Sequence, residues 1–336
     1  MNSIAAGPSN TSIIPTTSKL TAGNTCDHMQ ARWAIRRGQH RVKAGLYALG
    51  SPTSDTAVFV TGNYSLSFDA LRSALVGKDA YLLVLETDGI NVWCAAGKGT
   101  FSTEELVNRI AMTQLGNVVR HRTLILPQLG ATGIAAHEVK QRSSFRVEYG
   151  PIRAEDLAEY LKMHQASQAM RIARFNWKDR VTLIPVELMH TLLPMFAAGI
   201  AVYFLAGLLP ALATIAALLG GVALFPLLLP WIPSKDFSSK GYVLGFVIAL
   251  AFSLAILFSA LPVSGWLKWG NALGLLLALP VVTSYLALNF TGSTPFASRT
   301  GVKREIYRYI LLMAGLFGGG LLVLLAVNAA HLLGRL

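Results

Sequence analysis

The sequence predicts an α/β domain with a mainly parallel sheet, followed by an all-α transmembrane domain of five helices. Three observations predict it. The 336-residue chain is 53% hydrophobic and only 14% charged, too apolar for one soluble domain of that length. Its apolar residues divide near residue 182, with soluble-type patterning before and long unbroken runs after. Within the first part, short apolar runs alternate with helical ones, the mark of a layered α/β fold.

Residues 1–40 are rich in Ser, Thr, Asn and Gly and read as a flexible tail. No apolar core of a signal peptide is present in it. Cys26, followed by Asp27 and His28, reads as an incidental exposed thiol rather than a soft-metal ligand.

Residues 41–165 form the expected α/β domain. Strands are predicted at 42–49, 57–61, 80–86, 123–126 and 145–149, and helices at 67–76, 103–115, 133–141 and 153–163. Glu104 and Glu105 place acidic charge in one first helical turn, as Glu155 and Asp156 do in another. In open sheets of this kind ligands bind beyond the carboxyl ends of the strands. Those ends are residues 61–64, 87–98, 127–137 and 150–151.

Residues 166–184 read as a basic amphipathic linker, in which Arg171, Arg174, Lys178 and Arg180 interleave with Met170, Ile172, Phe175 and Trp177. An interfacial helix is favoured over a solvated connector, because a span follows at once. Five apolar runs then occupy 185–208, 211–231, 242–263, 266–290 and 306–332, each reaching the roughly 20 residues needed to cross a bilayer core. Lys235 and Lys240 lie between the second and third runs. Arg299, Lys303 and Arg304 lie between the fourth and fifth. The positive-inside rule therefore places the N-terminus and the α/β domain in the cytoplasm of an inner-membrane protein, with the C-terminus outside. The runs hold almost no ionisable groups, so they read as anchor and scaffold rather than a transport path. Gly315, Gly318, Gly319 and Gly320 offer a small-residue face for close helix packing.

Charge adds little. The formal net charge of +12 suits a protein lying against anionic lipid and comes with no nucleic-acid-binding signature. Two cysteines, Cys26 and Cys94, exclude a cysteine-cluster metal site and a disulfide framework. The segment Gly97-Lys98-Gly99-Thr100 has the spacing of neither a phosphate loop nor a dinucleotide-binding turn. The histidines form no zinc pattern, and the Asp-x-His-x-x-Gly element that offers histidine to cobalt is missing.

What remains is Asn91-Val92-Trp93-Cys94-Ala95-Ala96-Gly97-Lys98, which follows a buried strand and an Asp88-Gly89 turn. A cysteine between apolar neighbours is ordinarily a small buried hydrophobe. It becomes a metal ligand as its thiolate, a form favoured by nearby positive charge or a helix start. A short helix beginning near Asn91, with Lys98 one or two turns on, offers both. A helix cap with Cys94 turned to the core is the alternative.

This eight-residue segment resembles the cap-helix signature of the mercury-methylating corrinoid proteins. Those are membrane-anchored relatives of the corrinoid iron–sulfur protein large subunit of the acetyl-CoA pathway. Residues 63–72, 126–131 and 136–139 carry further likeness, and an α/β domain followed by five spans matches as well. The resemblance implies a Rossmann-like corrinoid-binding domain holding cobalamin or a related corrinoid, with the Cys94 sulfur as lower axial ligand to cobalt. It implies methyl transfer to Hg(II), forming methylmercury. It also implies that Asn91, Val92, Trp93, Ala95, Ala96, Gly97 and Lys98 shape the cap beneath the corrin. Thr61, Asn63, Gln128, Gly130 and His137, at the strand ends, complete the expected cofactor-binding set. The soluble relatives carry a four-cysteine iron–sulfur cluster, for which this chain has too few cysteines. The implied reductant is accordingly a separate ferredoxin-like protein with two [4Fe–4S] clusters, and the implied methyl donor is methyltetrahydrofolate through another methyltransferase. A methyl carrier with a different acceptor and a non-catalytic corrinoid or metal sensor are the rival readings.

Overall fold

The computed structural model describes residues 12–36, 38–260 and 262–334. The chain divides into two compact units, Met1–Arg174 and Phe175–Leu336.

The first unit is a six-stranded sheet between two layers of helices. Its elements run β1 (Ile14–Thr16), α1 (Ala22–Arg32), β2 (Gly45–Leu49), β3 (Val58–Gly62), α2 (Ser65–Ala74), β4 (Ala80–Leu85), α3 (Val92–Lys98), α4 (Thr103–Met112), α5 (Leu115–Val118), β5 (Thr123–Leu126), α6 (Ala136–Ser143), β6 (Arg146–Tyr149) and α7 (Leu157–Met163). The strand order is β1-β2-β4-β3-β5-β6. Every pairing is parallel except β2 with β4.

All six residues of β4 are buried, as expected of a parallel strand covered on both faces. Tyr81, Leu83 and Leu85 pack under α3 and α4, with Leu106, Ile110 and Phe101. Leu82 and Val84 face the other way, with Phe68, Leu71, Leu157 and Tyr160 of α2 and α7. The chain leaves β3 for β4 on one side and later returns to β5 on the other. That reversal opens a crevice at the carboxyl ends of β3 and β5, where doubly wound sheets take their ligands.

Residues 14–32 correct the expectation of a flexible tail. β1 adds a parallel edge strand to β2, and α1 carries a Thr21–Asn24 capping box. Polar contacts, rather than an apolar stripe, hold this arm down. His28 Nε2 lies 2.8 Å from Asp69 Oδ2. Arg72 donates to the carbonyls of Thr17 and Lys19 at 2.5 and 2.9 Å. Ser65 Oγ donates to Asp27 Oδ2 at 2.5 Å. Residues 1–11 of the expected tail lie outside the described residues.

The interfacial helix expected over the linker is replaced by irregular chain. α7 stops at Met163, with His164 left-handed at φ 50°, and residues 169–171 make a single 3-10 turn. Asn176 then caps a new helix, its side chain accepting from the N–H groups of Lys178 and Asp179. The strong cap restarts the helix at Trp177, so the basic residues from Lys178 onward belong to the first long apolar helix.

The second unit contains α8 (Trp177–Ala206), α9 (Leu208–Leu219), a π-helical turn at Gly220–Leu224, α10 (Phe225–Leu228), α11 (Phe237–Leu257), α12 (Gly265–Phe290) and α13 (Arg299–Leu333). Counting Leu208–Leu228 as one, five helices are long and apolar enough to cross a membrane. Of the glycine face expected on α13, Gly320 makes the close approach: a Cβ there would meet Ala278 N and Gly274 O at 2.8 Å. Gly315, Gly318 and Gly319 face open space, because a helix turns only one stripe toward its neighbour.

Candidate functional site: a cap helix with an outward-facing cysteine

The root of α3 is a turn closed by Ile90 N donating to Thr87 O at 3.1 Å, with Asp88 and Gly89 both left-handed at φ 55° and 67°. Two successive positive φ angles suit an Asp-Gly pair. Asn91 caps the helix, its Oδ1 accepting the N–H of Cys94 at 2.9 Å. At the other end Gly99 takes φ 86° and ends the helix in a left-handed cap, which glycine adopts without a Cβ penalty.

Helical spacing sorts the eight residues into two faces. Val92, Ala95 and Ala96 are buried, at positions i, i+3 and i+4. Trp93, Cys94, Gly97 and Lys98 are exposed. Cys94 is a free, exposed thiol, so the alternative of a core-facing cysteine is overturned. Val92, Ala95 and Ala96 turn the other way. Their side chains fill the core beneath the helix with Leu85, Phe101 and Ile134 and do not line its outer face. A Cβ on Gly97 meets nothing within 4 Å.

The loop after β5 is pressed against α3. A Cβ on Gly133 would lie 2.0 Å from Phe101 O and 3.1 Å from the Ala96 Cα, and one on Gly130 would lie 2.5 Å from Phe101 Cε1. Both glycines are required by close approach. Thr103 N donates to Gly133 O at 3.1 Å, and Ala135 N donates to Thr103 Oγ1 at 2.8 Å. Phe101 and Gly133 were missed by sequence reasoning, since only the folded contact distinguishes them from ordinary loop residues.

Asn63, expected to touch a cofactor, is used internally. It is 0% exposed. Its Oδ1 accepts from Thr87 N at 3.0 Å, Thr87 Oγ1 at 2.8 Å and Gly89 N at 3.1 Å, and its Nδ2 donates to Glu86 Oε1 at 2.6 Å. The residue positions the root of α3: its Oδ1 is fully used and the side chain is wholly buried. Thr61 is buried within β3. Gln128 opens the 3-10 turn after β5, and its Oε1 is buried without a hydrogen-bond partner, as is Thr100 Oγ1. His137 stands in the first turn of α6 with 84% of its side chain exposed, 4.0 Å from Glu138 Oε1.

A flat, single-thiolate-ligated cofactor fits these residues. Among the described residues no three His, Cys, Asp or Glu side chains converge on a metal site, and Cys94 is the soft donor that a cofactor on this face would meet. Gln128 Oε1 and Thr100 Oγ1 are buried polar atoms without a hydrogen bond, the kind of group a bound ligand or water commonly satisfies.

Residues 29–159 match the family model described as CO dehydrogenase/acetyl-CoA synthase delta subunit. Similar curated proteins include the acetyl-CoA decarbonylase/synthase complex subunit gamma of Methanopyrus kandleri, 29% identical over 128 residues, covering 38% of this chain and 27% of that protein. The corresponding subunit of Archaeoglobus fulgidus is 30% identical over 124 residues, covering 36% and 26%. The corrinoid/iron-sulfur protein large subunit of Moorella thermoacetica is 26% identical over 129 residues, covering 38% and 28%. The chain thus spans about a quarter of the length of these relatives. The family match stops at residue 159, before α8 begins. The α/β unit is related to corrinoid-protein subunits.

Proposed function

We propose that the α/β unit holds a corrinoid against the outer face of α3 and that the loaded protein methylates inorganic Hg(II) to methylmercury. The observation that carries this reading is the exposed thiol of Cys94 on a helix face otherwise made by Trp93, Gly97 and Lys98. A bound corrinoid would supply cobalt and a transferable methyl group for Hg(II), and the Cys94 sulfur is the protein atom that would hold the cobalt.

The protein's own part is positional. Asn91 fixes the backbone at Cys94, and buried Val92, Ala95 and Ala96 seat the helix so that the sulfur points outward. Asn63 pins the turn from which the helix springs. Lys98, one turn after Cys94, places a cation on the same exposed face. Trp93, 45% exposed, offers an apolar edge to a macrocycle.

The names of the relatives support one alternative, a corrinoid methyl carrier with a different acceptor: one is a corrinoid/iron-sulfur protein large subunit and others are subunits of an acetyl-CoA decarbonylase/synthase complex. Anaerobically reconstituted full-length protein, methylated and offered Hg(II), separates the two. Methylmercury formed by the wild type and absent with Cys94→Ala supports the mercury reading. Methyl passing to a thiol but never to Hg(II) supports the carrier. The proposal further takes the five apolar helices as a cytoplasmic-membrane anchor, a ferredoxin-like protein as reductant and a methyltetrahydrofolate-linked enzyme as methyl source.

A further inference from the structure

Arg180 is the fourth residue of α8, closing its first turn, is only 6% exposed, and has a buried Nε without a hydrogen-bond partner. Among the described residues no carboxylate lies within ion-pair distance of it. The neighbouring acid, Asp179, is turned to the helix start, where Oδ2 accepts the N–H of Asn176 at 2.9 Å. The carbonyls of Leu229 and Ile232, close to Trp231 in sequence, are taken by Lys240 Nζ at 3.0 and 2.6 Å. The guanidinium instead meets an aromatic ring, its Cζ standing 5.9 Å from the centroid of Trp231, and that ring is itself 71% exposed.

A buried arginine without a counter-charge is costly, and the cost falls when an anion completes its hydrogen bonds. The planar guanidinium fork matches phosphate oxygens in a bidentate fashion. Trp177 and Trp231, both exposed at helix ends, are the residue type that settles at lipid headgroup level. Lys178, 5.9 Å from the Trp177 ring centroid, adds a second cation on the same first turn.

We propose that Arg180, stacked on Trp231, binds the phosphate of an anionic phospholipid headgroup. The inference is independent of the corrinoid reading and gives the second unit a specific ligand beyond anchoring.

The test uses full-length protein in mild detergent, offered phosphatidylglycerol, phosphatidylcholine or inorganic phosphate, with bound lipid counted by native mass spectrometry. Wild-type protein should retain phosphatidylglycerol in preference to phosphatidylcholine. Arg180→Gln should retain at least tenfold less. Arg180→Lys, which keeps the charge without the fork, should fall between them, and it also serves if the glutamine variant does not fold. Trp231→Phe, a change at an exposed ring, should weaken retention by about threefold, in line with loss of part of a cation–π contact. Inorganic phosphate that binds Arg180-dependently and expels the lipid at low millimolar concentration would identify a soluble phosphate compound as the ligand and overturn the lipid assignment. Equal phosphatidylglycerol retention by wild type and both Arg180 variants would overturn the site itself.

Discussion

The side-chain carbonyl of Asn63 accepts both the backbone N–H and the hydroxyl of Thr87, at 3.0 and 2.8 Å, inside a fully buried pocket. That relationship ties the end of β3 to the root of the cap helix across 24 residues of sequence, and it sets the direction in which Cys94 is presented. Asn63→Ala strands Thr87 N and Gly89 N without an acceptor. Each buried donor so stranded costs about 1–3 kcal/mol, so the variant should lose a large part of the stability of the α/β unit. The check is a lowered thermal midpoint together with weakened uptake of the proposed corrinoid, although Asn63 is wholly buried.

Cys94→Ala should behave in the opposite manner. The side chain is exposed, so stability should move by no more than about 0.5 kcal/mol, while methylation of Hg(II) falls to the detection floor. Thermal unfolding and methylmercury assay on the same preparation measure both.

Two glycines divide the site in the same way. Gly133→Ala puts a Cβ 2.0 Å from the Phe101 carbonyl oxygen, a backbone atom that cannot swing aside. A loss of about 1–3 kcal/mol or more is expected, as for overpacking elsewhere. Gly97→Ala meets open space and should stabilise α3 by up to about 1 kcal/mol through helix propensity. It also raises the surface beside the sulfur, so corrinoid titration should show weaker binding despite the firmer fold.

The N-terminal arm should respond to pH. His40 is buried, with Nδ1 2.7 Å from Asp27 Oδ1 and Nε2 2.6 Å from the Ile35 carbonyl. Both partners accept, so the ring donates from both nitrogens and is positively charged. Burial opposes that charge, but the bonds to Asp27 and Ile35 outweigh it and raise the His40 pKa above 6.5. Burial likewise opposes ionisation of Asp27, and the Ser65 and His40 hydrogen bonds overcome it, holding its carboxyl below 3.8. The His40 contribution is therefore full below about pH 6.5 and fades as pH rises through the raised value. The Asp27 contribution is full above about pH 4 and fades as pH falls through the lowered one. Hydrogen exchange should show α1 best protected between these limits and loosening toward alkaline pH, with the alkaline loss absent in His40→Ala.

Orientation has a direct test. In protein lacking Cys26 and Cys94, Ser264→Cys should react with an impermeant maleimide from outside intact cells. Ser234→Cys, beside Lys235 in the opposite loop, should react only after permeabilisation. The reverse pattern would invert the topology expected from the basic loops.

The sequence alone determined the elements whose information is local. The five apolar helices, the buried run of β4, the Asp88-Gly89 turn and the Asn91-capped helix are each written in neighbouring residues, because helix and strand periods and cap chemistry act over a few positions. The tertiary structure alone decided which face each element shows and which polar groups meet. Ala95 and Ala96 turned inward and Cys94 outward once α3 packed on β3 and on the 3-10 turn after β5. Asn63 became an anchor once Thr87 reached it, and the polar N-terminal stretch folded because Asp69, Arg72 and Ser65, some 40 or more residues away, supplied its partners. Contacts of that range leave no periodic trace in composition, so a segment they hold looks like a tail until the chain closes around it.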